Sequence, residues 1–309
     1  MLKALLRPSF ILIPLTMGLC IPQAHVLNDP PYNAVRWALT AMIFISCLKV
    51  SFRDLRPRVE HLRLLVLNLL LGVVPYLLIR LFLPAQADLA KAAFFVGITP
   101  TATAAPVILS FLNARVGFAL TGFTISNIGI CLSFLLLLPW VTGTLTFGFV
   151  GRVAWTLVQV ILLPFGAAAL AQKLVPSIRE LPKRLKSFSF LLWSFTLFVI
   201  ASIARYDFQT HDISAWNALS IAAVSLALCV CNFWFGRLAA PKRLRRECSQ
   251  LLGQKNTSLT IYLALQYANA FVALGPIFYV IYHNTWNAWQ IYRYDRRKQR
   301  RRLSRESSQ

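Results

Sequence analysis

The chain has 309 residues, 57% of them apolar and only 14% charged, with a mean hydropathy of +0.61. Soluble domains carry roughly a quarter charged residues, so this composition excludes a soluble globular enzyme, a disordered regulator and a secreted disulfide scaffold. Lys plus Arg number 32 against 10 Asp plus Glu, a net charge of +22; the basic residues cluster between long uncharged apolar runs, which reads as membrane topology rather than nucleic-acid binding.

Ten apolar segments follow in chain order: 9–23, 34–48, 62–83, 90–112, 116–142, 153–174, 188–204, 215–238, 248–268 and 270–289. A spanning helix needs about 20 mostly apolar residues. Ten of them take up roughly two thirds of the chain and leave no second, soluble domain. The first segment, preceded by Lys3 and Arg7, has the look of a signal peptide, but Pro14 interrupts it and Gln23-Ala24 is a poor cleavage site, so it is read as a span. Cys20, Cys47, Cys131, Cys229, Cys231 and Cys248 sit in or beside apolar segments; Cys229-Val-Cys231 is too tight for a zinc pair, so all six read as buried hydrophobes and no metal is expected.

With both termini in the cytoplasm, 26 of the 32 basic residues fall on the cytoplasmic side and five (Arg36, Arg80, Lys91, Arg152 and Arg205) outside. Such a split requires an even number of spans and predicts an integral protein of the cell (inner or plasma) membrane. Eight basic residues in 293–305 form a cytoplasmic tail, 291–309, that touches anionic lipid rather than nucleic acid. An internal repeat is also present. A shift of 156 residues pairs Pro8 with Pro164, Trp37 with Trp193, Thr40 with Thr196, Gly97 with Gly253, Thr101 with Thr257, and Asn113-Ala114 with Asn269-Ala270. The halves, about 1–146 and 153–290, hold five spans each and enter the membrane in opposite senses, a common transporter plan with its site near the midplane. The expectation is one all-α polytopic membrane domain of ten transmembrane helices in two inverted five-helix repeats.

Chemistry is expected in two segments. The fourth carries Pro100 and Pro106 among Thr99, Thr101 and Thr103. Proline removes a backbone donor and disrupts the preceding turn, and the freed groups survive in a bilayer only against protein or a wet cavity. The ninth holds the equivalent stretch, Gly253-Gln254-Lys255-Asn256-Thr257-Ser258, with Lys255 the only formal charge deep in an apolar segment. All ten acids lie in loops, at segment ends or in the tail, so no carboxylate is expected beside it. Asn68, Gln159, Ser225, Asn232 and Gln266 read as interhelical hydrogen-bonding groups, and Thr124, Ser126 and Asn127 of the fifth segment rate higher as site residues. His25, His61, His211 and His283 lie near segment ends or in loops, and no Ser–His pair, His-x-x-Glu-His or paired intramembrane acids appear, so no enzyme is expected.

These residues are where the chain resembles the bile acid:sodium symporter family, ten-helix carriers of bile acids and other organic anions. The resemblance spans nearly the whole chain and is most specific in Val96-Gly97 through Pro100, in the run to Asn127, and in Gly253-Gln254-Lys255-Asn256. It implies helices four and nine unwound where they cross, with sodium bound nearby. The sequence departs from the family at the sodium ligands: Pro100-Thr-Ala-Thr-Ala-Ala105-Pro106 lacks the usual Ser-Asn pair, helix-five hydroxyl positions fall on Ala119 and Phe123, the helix-nine acid is Leu251 and the glutamine is Lys255. The expected function is secondary transport of a small organic anion, bile-acid-like or another carboxylate. Ordinary two-sodium coupling is not expected, with Lys255 replacing the cation and attracting the anion, or titrating during the cycle to couple protons. The expected ligand-contacting set is Thr99, Pro100, Thr101, Thr103, Thr124, Ser126, Asn127, Gln254, Lys255, Asn256 and Thr257, with no cofactor beyond a coupling ion. The alternatives are a sodium symporter with relocated ligands and a non-transporting binding or receptor relative.

Overall fold

The computed structural model describes residues 13–48, 55–102, 104–210 and 215–306. Lys3, Arg7, Pro8, Thr103 and His211, all named above, lie outside the described residues, as do Lys49 and Arg53 of the basic-residue count. The described chain is all-helical, and its only strand-like pairing is one isolated bridge. In chain order the helices are α1 (13–20), α2 (Ala34–Cys47), α3 (Val59–Phe82), α4 (Ala87–Ile98), α5 (Ala104–Phe111) and α6 (Val116–Thr142). They continue with α7 (Phe147–Leu174), α8 (Lys186–Thr210), α9 (Ala215–Leu238), α10 (Arg245–Gly253), α11 (Thr257–Tyr267) and α12 (Ala270–Glu306). Among the described residues, five helical stretches are long and apolar enough to cross a membrane: Val59–Phe82, Val116–Thr142, Phe147–Leu174, Ser187–Tyr206 and Trp216–Leu238.

Helix α3 shows how the apolar code is used. Leu62, Val66, Leu70, Leu77 and Leu81 form an exposed stripe, while His61, Leu64, Asn68, Gly72 and Tyr76 form the buried one. Both recur at helical spacing, but here the polar and small residues point inward and the leucines point out. That inversion suits a lipid solvent, where apolar side chains cost nothing on the surface and polar ones need protein partners. Pro75 sits inside α3 without ending it. Helix α7 absorbs Pro164 differently, through a single π-turn over Val158–Leu162 that relaxes the ladder just before the missing donor.

The fourth and ninth segments are each two helices rather than one. Helix α4 stops at Ile98 because Pro100 lacks a donor, residues 99–102 are not helical, and α5 starts at Ala104. Helix α10 stops at Gly253, and α11 starts at Thr257. The tenth segment differs from expectation in extent. It continues without a stop through the basic residues to Glu306, since nothing between Trp289 and Glu306 is a glycine or a proline. His283, expected near a segment end, is therefore well inside α12 and buried, and His61 is buried in the first turn of α3.

Small residues let α3 and α4 touch at backbone distance. A side chain on Gly97 would overlap Leu71 O, and a Cβ on Gly72 would lie 2.7 Å from Ile98 Cβ. This close approach, driven by packing where the solvent gives no apolar incentive, puts Asn68, one turn before Gly72, against the carbonyl end of α4.

Candidate functional site

The two interruptions meet. Thr101 and Lys255 form an antiparallel bridge. Ala102 N donates to Gln254 O at 2.8 Å and Asn256 N donates to Pro100 O at 2.8 Å. Backbone released from two helices thus pairs with itself deep inside the protein, where water is excluded and an unpaired group costs several kcal/mol.

The carbonyls that α4 can no longer use are satisfied one by one. Gly97 O accepts from Lys255 Nζ at 2.9 Å, Ile98 O and Thr99 O accept from Asn68 Nδ2 at 3.3 and 3.1 Å, and Thr101 O accepts from Asn127 Nδ2 at 3.0 Å. Thr101 N donates to Ser126 Oγ at 3.1 Å and Thr101 Oγ1 donates to Leu251 O at 2.6 Å. Thr99 Oγ1 donates back to Phe95 O at 2.5 Å and lies 2.9 Å from Thr260 Oγ1. Across the crossing, Tyr279 of α12 donates to Gly253 O at 2.8 Å.

Lys255 is 2% exposed. Its ammonium donates to Gly97 O and to Asn68 Oδ1, and among the described residues no carboxylate pairs with it. Glu247, eight residues earlier on α10, is also buried but accepts from Arg115 N at 3.0 Å. Burying a lysine away from water in an apolar span costs about 3 kcal/mol on insertion scales. A hydrogen bond from a charged donor returns about 1.5–3 kcal/mol, and the carbonyl end of α4 adds its partial negative charge. Cost and gain are of the same size, so the ammonium is tolerated only while both acceptors stay in place.

The expected set is largely brought together. Thr99, Pro100, Thr101, Gln254, Lys255, Asn256 and Thr257 lie on the two interrupted stretches, and Ser126 and Asn127 reach them from α6. Thr124 turns back on its own helix, donating to Leu120 O at 3.0 Å, and among the described residues makes no bond to the crossing. Asn68, read from sequence as an interhelical group, holds Lys255 and two α4 carbonyls at once; the four-residue spacing to Gly72 on the buried stripe was the available signal. A chain of side-chain amides was also missed. Gln250 Nε2 donates to Gln290 Oε1 at 2.9 Å and Asn287 Oδ1 at 3.2 Å, and Asn287 Nδ2 donates to Gln254 Oε1 at 2.5 Å.

The positions that the resemblance assigns to sodium ligands carry no oxygen-bearing side chain. Ala119 and Leu251 belong to a buried apolar cluster with Leu64, Leu109 and Leu252, and Phe123 is buried nearby on α6. Beside Asn68, Thr101 and Ser126 remains a cavity of about 10 Å³, room for about one water molecule. No protein-family model matches the chain, and no curated protein matches it.

Proposed function

We propose that the chain is a ten-helix secondary transporter of a small organic anion, as its resemblance to the bile acid:sodium symporters implies, and that the Lys255 ammonium stands in for a coupling cation. The observation that carries the reading is the contact of that ammonium with the carbonyl end of α4, beside backbone from two interrupted helices. In transporters built from inverted repeats, half-helix carbonyl ends hold the coupling cation, and half-helix amino ends face the anionic part of the substrate. Lys255 sits at an end of the first kind. Helices α5 and α11, which start at Ala104 and Thr257, supply ends of the second kind next to it. These amino ends share the anion-attracting role read from sequence for Lys255, since two of the three ammonium donors are held by Gly97 O and Asn68 Oδ1.

The element bounds support the repeat. Val59–Phe82 and Ala215–Leu238 are offset by 156 residues at both ends, the offset that pairs Gly97 with Gly253 and Thr101 with Thr257. The antiparallel sense of the Thr101–Lys255 bridge agrees with halves entering the membrane in opposite directions. Both termini on the cytoplasmic side agrees with the basic-residue count. The apolar surroundings of Ala119 and Leu251 support transport without sodium at that point.

Uptake of labelled carboxylates, a bile acid first, into vesicles carrying wild type or Lys255→Gln tests this, with and without external sodium. The expected outcome is sodium-independent uptake in wild type, reduced at least tenfold by the substitution. Uptake that needs sodium and is indifferent to Lys255 defeats the reading.

A further inference from the structure

Away from the crossing, a cleft of about 1640 Å³ opens between α9, α10 and α12, against the end of α5. Neither Asn68 nor Lys255 lines it. It exceeds the roughly 300–1,000 Å³ of small-molecule pockets, so its natural occupant is larger than a single carboxylate.

One end of the cleft is cationic. Arg237 closes α9, Arg245 and Arg246 open α10, and Arg293 and Arg297 lie one turn apart on α12, with no Asp or Glu among the described lining residues. Two of these side chains are partly engaged: Arg246 Nη1 donates to Leu112 O at 3.3 Å, and the Arg293 guanidinium stands 4.5 Å from the Trp289 ring centre. Arg245 Nε is buried and has no hydrogen-bond partner among the described residues. An unpaired guanidinium nitrogen in a wall of like charges is costly unless an anion meets it.

The other part is apolar. Leu226, Val230 and Trp234 recur every four residues on α9 and face outward, and Trp286 and Trp289 line the opposite wall on α12. From Leu226 to Arg237 the helix rises about 16 Å at 1.5 Å per residue, close to half of a hydrocarbon core about 30 Å thick. The arginines then fall at headgroup depth and the apolar track reaches toward the bilayer centre, with tryptophans at the boundary.

We infer that this cleft binds one anionic phospholipid, its phosphate held by Arg245, Arg293 and Arg297 and an acyl chain laid along Leu226, Val230 and Trp234. Guanidinium forks match phosphate oxygens two at a time, and five like charges disfavour a zwitterionic headgroup carrying its own ammonium. A soluble organic anion satisfies the arginines but leaves the α9 track empty, which is what separates the two sources. The inference stands whether or not the chain transports anything.

Native mass spectrometry of the full chain in detergent, with palmitoyl-oleoyl phosphatidylglycerol, the matching phosphatidylcholine, or glycerol 3-phosphate added, tests it. Wild type is expected to retain one phosphatidylglycerol and neither of the other two. Arg293→Gln with Arg297→Gln, both on the exposed part of α12, weakens retention about thirtyfold, while Arg179→Gln, outside the cleft, leaves it unchanged. Trp234→Ala weakens it several-fold without altering the headgroup preference. Should the double variant lose its unfolding transition, Arg237→Gln serves in its place, with a loss of about fivefold. Equal retention of both lipids, retention unmoved by the arginine changes, or glycerol 3-phosphate bound as tightly as the lipid overturns the proposal.

Discussion

The two interrupted stretches solve one problem in different ways. At the first, proline ends α4 and exposes consecutive carbonyls from Gly97 to Thr101, and the donors come from elsewhere: Asn68 of α3, Asn127 of α6, and Lys255 and Asn256 of the opposite stretch. At the second, no proline is present, and α10 ends with Gln254 N still bonded to Gln250 O. Tyr279 and Thr101 supply most of what is needed there. A proline break therefore gathers polar side chains from its neighbours, while a glycine break needs few and leaves Lys255 free to reach across. The asymmetry explains why a single cation serves a crossing built from two interrupted stretches.

The comparison breaks most sharply at its glycines. A side chain on Gly97 would run into the Leu71 carbonyl and lie 2.7 Å from Gly72 Cα, both backbone. On Gly253 it would meet the ring of Phe233, a side chain rather than backbone. Gly97→Ala is expected to cost about 3 kcal/mol or more and Gly253→Ala about 1–2 kcal/mol, read as the order of their unfolding temperatures in detergent. The reverse order means that the α3–α4 contact is looser than the first break requires.

Next in size is Asn68. Asn68→Leu removes the second acceptor of the ammonium and the donor for Ile98 O and Thr99 O, at an expected cost of about 2–4 kcal/mol. Lys255→Met removes the charge and its desolvation cost together, so it destabilises less. The double variant is expected to be more stable than the two single losses added, by about 1–2 kcal/mol. Additive losses mean that the two side chains do not depend on each other.

Much of this was legible in the residues and some was not, for identifiable reasons. Apolar runs gave α3, α6 and α9 nearly to their observed ends, because a span in lipid is written as length and hydropathy alone. Pro100 and the polar run around Lys255 marked both interruptions, since each carries a residue type that a buried helix avoids. Which partners they take was hidden. Asn68 is one polar residue among several in apolar runs, and only the Gly72–Gly97 contact, which joins residues 25 positions apart, decides that it meets α4. Hydropathy falls at Trp289, which marks the end of the tenth apolar segment. Helix propensity does not fall, as Arg, Lys and Gln are good helix formers, and α12 carries on to Glu306. The arginines at 237, 245 and 246 served the topology count, and their convergence with Arg293 and Arg297 on one cleft required the packing of three helices.

The smallest effect sharpens the comparison from the second break. Tyr279→Phe deletes only a hydroxyl, leaving Gly253 O without its donor at 2.8 Å while the ring still fills the space beside His283. A neutral hydrogen bond of this kind contributes about 1 kcal/mol. Ser126→Ala deletes the acceptor of Thr101 N at the first break, again one neutral bond, at 3.1 Å. Were the breaks equally dependent on single side chains, the two variants would match. Thr101 keeps three other contacts, through Asn127, Leu251 and the bridge to Lys255, whereas Gly253 O has Tyr279 as its side-chain donor. The expected outcome is a larger fall in unfolding temperature for Tyr279→Phe than for Ser126→Ala. The proline break is then the more redundantly braced of the two, and the glycine break the easier to loosen.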